Sequence, residues 1–153
     1  MSADPVAVWD LYARYGALLD AAQYDEWLAL FAAACSYHIV PRENWERGLP
    51  AALVFCDSRA MLEDRIRALR EANRFNIHSD RHLIGLPRLM TEAGVTVEAP
   101  FALYQTDQEG ETRLFATGLY RDRLVGEGGS LKFRDKLILL DSFAVPSLLA
   151  TPL

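Results

Sequence analysis

"VTVEAPFALY", residues 95–104, decides the class of fold. Val95, Val97, Ala99, Phe101 and Leu103 alternate with mainly polar partners, the two-residue period of a strand that lays one face on a core. "TRLFATGLYRDRLV" (112–125) and "LKFRDKLILLDSFAV" (131–145) repeat the habit. Between and before them stand "TEAG" (91–94), "DQEGE" (107–111) and "GEGG" (126–129), whose glycines and small polar residues suit tight turns. The second half of the chain therefore reads as a meander of long antiparallel strands.

Upstream the period changes. From Pro5 to Phe31 the apolar residues Val8, Leu11, Tyr12, Tyr15, Leu18, Leu19, Trp27, Leu28 and Phe31 recur at three and four, the spacing of a helix face. Asp4 before Pro5 is a helix N-cap with proline at the first helical position, and "DAAQYDEW" (20–27) separates two short helices. "CSYHIVPREN" (35–44) reads as a strand that stops near Pro41, followed by the loop "ENWERGLP" (43–50). A third helix spans "DSRAMLEDRIRALREAN" (57–73), with Asp57 or Ser58 as cap and Met61, Leu62, Ile66, Leu69 and Ala72 on one side. Glu63 and Arg67 make an i,i+4 pair on its solvated side, and Asn73 ends it. Helices first and a sheet afterwards is an α+β order. The expected architecture is N-terminal helices packed on a strongly curved antiparallel sheet, mixed at its edge. Such a sheet forms a cone with a hollow mouth, in one domain covering residues 1–153.

Composition narrows the function classes. At 153 residues, 51% hydrophobic and 24% charged, the chain has the apolar content for one globular core. A net charge of -5 argues against nucleic acid as partner, since that role takes a basic face. Cys35 and Cys56 stand in no paired motif, which fits a reducing compartment. The N-terminal stretch lacks the order of a signal peptide, and no apolar run approaches the roughly 20 residues of a membrane span. A cytoplasmic protein without a membrane partner is expected.

Chemistry is sought first in "NRFNIHSDRHLIG" (73–85), where His78 and His82 stand four apart. A metal pair of that spacing takes a helix, a glutamate between the histidines and a third ligand. Here Ser79, Asp80 and Arg81 lie between, past the end of the helix. Structural or interfacial hydrogen bonding by Arg81 and His82 is the stronger reading, and no catalytic, cofactor-binding or metal-binding residue is assigned. A histidine and a carboxylate could instead meet in the cone as an acid-base pair, drawn from His38, His82, Asp57 and Asp141. The loop carrying Arg42, Trp45, Arg47 and Leu49 has the Trp and Arg content of an interface.

"RENWERGLPAALVFCDSRAMLEDRIRALREAN" (42–73), "RHLIGLPRL" (81–89), "FATGLYRDRL" (115–124), "KLILLDS" (136–142) and "LLATPL" (148–153) together resemble the small (beta) subunits of aromatic-ring-hydroxylating dioxygenases. The likeness is strongest to the terephthalate-type branch, with the anthranilate, salicylate and halobenzoate oxygenases close behind. It implies the cystatin-like, NTF2-like cone. It also implies a mainly structural subunit, self-associated as a trimer beneath large (alpha) subunits in an α3β3 hexamer. In such enzymes the large subunit carries a Rieske [2Fe-2S] cluster and a mononuclear Fe(II), and NADH or NADPH supplies electrons through a separate reductase. A Rieske site takes two Cys and two His in paired motifs, which Cys35 and Cys56 do not offer. The resemblance marks Arg42, Glu43, Asn44, Arg65, Arg81 and His82 as subunit contacts, beside Trp45 and Arg47 of the same loop. Two rivals of other classes remain: a stand-alone isomerase or dehydratase using a His-carboxylate pair, and a binding or assembly module.

Overall fold

Helix α1 (Pro5–Asp20) begins at the expected cap, where the Asp4 carboxylate accepts the Val6 N–H at 3.1 Å and Pro5 is the first helical residue. Its buried residues, Val8, Leu11, Tyr12, Tyr15, Gly16 and Leu19, keep the three-and-four spacing read from the sequence. The structure, a computed structural model, describes residues 3–72, 77–90, 95–142, 145 and 151–153. Asn73 and the turn "TEAG" lie outside the described residues.

Helix α2 (Tyr24–Leu28) adds Tyr24, Trp27 and Leu28 to the core. Phe31 departs from the reading above: it opens strand β1 (Phe31–Pro41) instead of closing the second helix. It pairs there with Phe133, their ring centroids 5.5 Å apart, so a tertiary partner overrides the local period. A second departure follows Pro41. The first part of the expected loop is a short helix, α3 (Arg42–Glu46), stitched by Glu43–Arg47 at 2.9 Å and Arg42–Glu46 at 3.9 Å, both at i,i+4.

Strand β2 (Val54–Cys56) is three residues long and carries no readable period. In α4 (Arg59–Ala72), Ser58 is the cap, its hydroxyl accepting the Met61 N–H at 3.3 Å. Leu62, Ile66 and Leu69 form the buried stripe, worth about 1.5–3 kcal/mol each. Met61, expected in the core, lies off that stripe and is exposed, with its sulfur accepting the Asp57 N–H. The expected Glu63–Arg67 pair is replaced by Arg59–Glu63 and Asp64–Arg67, each at 2.9 Å, because Arg59 reaches Glu63 first while also donating to the Phe31 carbonyl.

The remaining strands are β3 (His78–Ile84), β4 (Arg88–Met90), β5 (Val95–Asp107), β6 (Thr112–Glu127) and β7 (Ser130–Leu140). Among the described residues they form one seven-stranded sheet in the order β2-β1-β7-β6-β5-β3, with β4 also on β5. All neighbours are antiparallel except β1 and β7, which makes the sheet mixed as expected. Register shifts opposite Leu103/Tyr104, where Phe115 is the extra residue of β6, and opposite Arg123/Leu124, where Arg134 is the extra residue of β7, are bulges that curve it. The tight turns at Gly110, Gly128 and Gly129 all take positive φ, as the turn residues predict. Gly118 serves a different purpose. A Cβ there would sit 2.2 Å from the Leu139 carbonyl oxygen and 2.9 Å from the Phe101 ring, which stacks on Tyr120.

One face of the sheet is covered by α1, α2 and α4. It bears Tyr37, Val97, Ala99, Phe101, Leu103, Tyr120, Ile138 and Leu140, all buried. Among the described residues the other face carries no long helix. Among the described residues no helix is long and apolar enough to cross a membrane.

Candidate functional site

The strand period places His78, Asp80 and His82 on one face of β3, toward α1. Each histidine meets its own carboxylate. His82 gives its Nδ1–H to Asp20 Oδ1 at 2.6 Å, the His82 backbone N–H meets both Asp20 oxygens at 3.1 Å, and Arg81 stands 3.6 Å away. Because a carboxylate only accepts, the proton lies on Nδ1. His78 Nε2 is 3.2 Å from Asp80, whose carboxyl is raised by burial and held back by His78 and His82. Asp20 ends α1, so this group fastens an edge strand to a helix terminus.

Inside the cone a second polar group is sealed. Lys136 and Asp122, both fully buried, pair at 2.8 Å; Tyr12 donates to the same carboxylate at 2.5 Å, and the Leu137 N–H does so at 3.2 Å. The ammonium sits 3.5 Å from the Tyr120 centroid and 4.2 Å from that of Tyr15, with Phe133 and Tyr12 completing an aromatic cage. Burial pushes Lys136 down to about 8 and Asp122 up, and each is opposed by its partner. Sequence reasoning missed this pair. Its signal was present in the parity of Lys136, Ile138 and Leu140, which puts an ammonium on the core face of β7.

Leu153 closes the other end. Its carbonyl accepts from Tyr15 at 2.5 Å and from Tyr37 at 3.3 Å, and its N–H donates to Tyr37 at 2.9 Å. Burial raises both phenols well above their ordinary range. Thus the cone expected to be hollow is occupied, across the described residues, by Tyr12, Tyr15, Trp27, Tyr120, Lys136 and Leu153.

A cavity of about 690 Å³ lies instead on the face without long helices, walled by Ser36, His38, Trp45, Arg121 and Arg123. Its charges are matched internally: Arg121 meets Glu98 at 3.4 Å and Arg123 meets Asp135 at 3.6 Å. His38 stacks on Phe55, centroids 4.5 Å apart, with Nε2 3.6 Å from Asp57. Of the four acid-base candidates one pair meets, His38 with Asp57, on the face of the sheet away from the packed cone, and the other two go elsewhere. His38 goes with Asp57, His82 with Asp20, and Asp141 with Arg42 at 3.2 Å and Thr117 at 2.9 Å.

The residues read as subunit contacts separate into groups. Arg42, Glu43, Asn44 and Trp45 lie on α3 and Arg47 follows it, with Asn44 Nδ2 bonded to the Ala51 carbonyl at 3.2 Å. Arg65 is half-buried on α4. Arg81 and His82 lie on β3, at the far edge of the sheet from β2. The Rieske donor set does not fit this chain. Cys35 and Cys56 face the covered side with Tyr37, His38 faces the other side, and His78 and His82 stand at the opposite edge. Among the described residues no group of three or more His, Cys, Asp or Glu is placed to hold a metal ion.

Helices on a curved mixed sheet, with a cone filled by its own side chains, define an NTF2-like α+β protein. Residues 14–147 match the family model of the ring hydroxylating beta subunit, and the chain belongs to that family. It is 35% identical to the beta 2 subunit of the terminal oxygenase component of terephthalate 1,2-dioxygenase from a Comamonas species, over 92% of this chain and 93% of that one. It is 34% identical to the small subunit of anthranilate 1,2-dioxygenase from Burkholderia cepacia, over 95% and 92%. A crystal structure from Novosphingobium aromaticivorans, assigned as the beta subunit of an aromatic-ring-hydroxylating dioxygenase, superposes with a TM-score of 0.87 at 39% identity, over 97% and 95%. The chain is thus a component of an oxidoreductase system.

Proposed function

We propose that the chain is the small, mainly structural subunit of a terephthalate-type dioxygenase. The observation that carries this reading is the 35% identity to terephthalate 1,2-dioxygenase beta subunits across 92% of the chain. In the cytoplasm, a large subunit holding a Rieske [2Fe-2S] cluster and a mononuclear Fe(II) joins it in an α3β3 hexamer. A separate reductase delivers two electrons from NADH or NADPH. With two protons and one dioxygen, an aromatic carboxylate becomes a cis-dihydrodiol, both oxygen atoms ending on adjacent ring carbons. This chain supplies a stiff support for the large subunits. The packed cone favours that division of labour, because the space a substrate would use is filled by the Lys136–Asp122 pair and its aromatic cage. The 34% identity to the anthranilate enzyme's small subunit makes an aminobenzoate the alternative substrate.

Co-expression with a candidate large subunit tests the reading. Copurification as an iron-containing hexamer that consumes terephthalate bears it out. Absence of capture, or turnover by the isolated chain, overturns it.

One observation favours the stand-alone isomerase or dehydratase: the His82–Asp20 pair at 2.6 Å holds the tautomer that leaves Nε2 as a base. That reading requires an activity of the isolated protein that is lost in His82→Ala.

A further inference from the structure

The sheet face away from the cone is built in rows, because each strand sends every second side chain to it. One row runs through His38 on β1, Leu137 on β7, Arg121 on β6, Glu98 on β5 and Arg88 on β4, each opposite the next in register. Beside it run Ser36, Asp135, Arg123 and Thr96. With Trp45 of α3 as a further wall, the two rows line the cavity of about 690 Å³.

The cavity has two unlike ends. At the first, aromatic surface is gathered: His38 stacks on Phe55, which is 56% exposed, Trp45 is 46% exposed, and Leu137 lies next to His38 in the row. At the second, Glu98 meets Arg88 at 2.8 Å and Arg121 at 3.4 Å, so one carboxylate serves two guanidiniums. Arg123 meets Asp135 only at 3.6 Å. The contacts of Arg121 and Arg123 are longer than the roughly 2.7–2.9 Å of a charge-assisted hydrogen bond, and a guanidinium has more N–H donors than one carboxylate oxygen can take. Donors therefore remain for a planar oxyanion, which the guanidinium fork matches. The Asp57 carboxylate stands 3.6 Å from His38 at the aromatic end, which turns an anionic group toward Arg121.

We propose that this cavity binds a small aromatic carboxylate, with its ring against Trp45, His38 and Leu137 and its carboxylate on Arg121 and Arg123. His38 and Arg121 stand two strand spacings apart, about 10 Å, a span that one ring with its carboxylate bridges. The volume lies within the roughly 300–1,000 Å³ usual for small-molecule sites. An uncharged ring would leave the guanidiniums unanswered, and an anion without a ring would leave the aromatic wall in water. The site belongs to this chain alone and goes beyond the small-subunit reading without resting on it.

Equilibrium dialysis of the purified full chain against radiolabelled benzoate tests it. Saturable binding of one benzoate per chain is expected, with acetate, which lacks the ring, and benzamide, which lacks the charge, each competing at least tenfold less well. Arg121→Gln and Trp45→Ala each weaken binding about tenfold, whereas Arg113→Gln, on the same strand outside the cavity, leaves it unchanged. All three side chains are exposed, and circular dichroism spectra check each fold. In the 15N-labelled chain benzoate moves the indole N–H resonance of Trp45, identified by its loss in Trp45→Phe. Absence of saturable binding, acetate or benzamide competing as well as benzoate, or a loss in Arg113→Gln equal to that in Arg121→Gln overturns the proposal. A chain that binds benzoate yet captures no large subunit keeps the site and loses the small-subunit reading; capture without benzoate binding does the reverse.

Discussion

His82 on β3 and Asp20 at the end of α1 share a hydrogen bond of 2.6 Å across 62 residues of chain. A carboxylate at a helix C-terminus is disfavoured by the helix dipole. The imidazole N–H, the His82 backbone N–H and the Arg81 guanidinium offset that, and in doing so they fix the edge strand on the helix.

Replacing His82 removes a hydrogen bond to a charged group from a buried site. His82→Ala lowers the free energy of unfolding by about 2–3 kcal/mol. Urea titration reads this directly. Turnover per assembled complex stays at the wild-type level; an assembled variant that has lost its chemistry would return His82 to the role of acid-base catalyst.

Lys136→Met leaves the Asp122 carboxylate buried without its cation, and destabilises by about 3–5 kcal/mol. Adding Asp122→Asn removes the orphaned charge: its one amide oxygen keeps the Leu137 N–H, and its NH2, in the place of Oδ2, donates to the Tyr12 hydroxyl. The double variant recovers most of the loss, as read from denaturant midpoints. A double variant as unstable as the single one would mean that the ammonium in its cage is itself favourable.

The pH dependence of the same pair has a definite sign. Asp122 is raised when folded, so the folded chain binds the extra proton and stability from this group falls as pH rises from about 4 through its folded value. Lys136 is lowered to about 8, so between there and the unfolded value of about 10.4 the unfolded chain binds more protons and stability from this group rises with pH. The stability of the wild type relative to Lys136→Met/Asp122→Asn therefore falls with rising pH on the acid side and rises again above about pH 8, with its minimum between. Unfolding free energies measured at intervals from acid to alkaline pH check it; a gap that is flat across the range refutes it.

Gly118→Ala drives a Cβ into the Leu139 carbonyl on the neighbouring strand and against the Phe101 ring. Backbone cannot move aside as a flexible side chain can, and the loss is about 3 kcal/mol. Thermal unfolding of the variant measures it, and an unchanged midpoint would show that β6 and β7 separate more easily than their register implies.

Local periodicity and capping were enough for α1, for most of α4 and for the three long strands, because each depends on residues a few positions apart. Asp4 before Pro5, Leu62 with Ile66 and Leu69, and Val97 through Leu103 state their own structure. The small-subunit family was also recognisable in the stretches Arg42 to Asn73, Arg81 to Leu89, Phe115 to Leu124, Lys136 to Ser142 and Leu148 to Leu153. The tertiary structure alone decided that Phe31 begins a strand, since Phe133 lies 102 positions away and sits beside it only through the parallel pairing of β1 and β7. It decided that β2 exists, since three residues hold no period. It also decided which carboxylate each histidine meets, that Lys136 fills the cone, and that α3 and β3 lie at opposite ends of the sheet. Alternation tells a strand which face to bury but not which strand to lie beside. Strand order comes from the sum of weak contacts over the whole sheet, and the Lys136–Asp122, Arg121–Glu98 and Arg123–Asp135 pairings follow from that order.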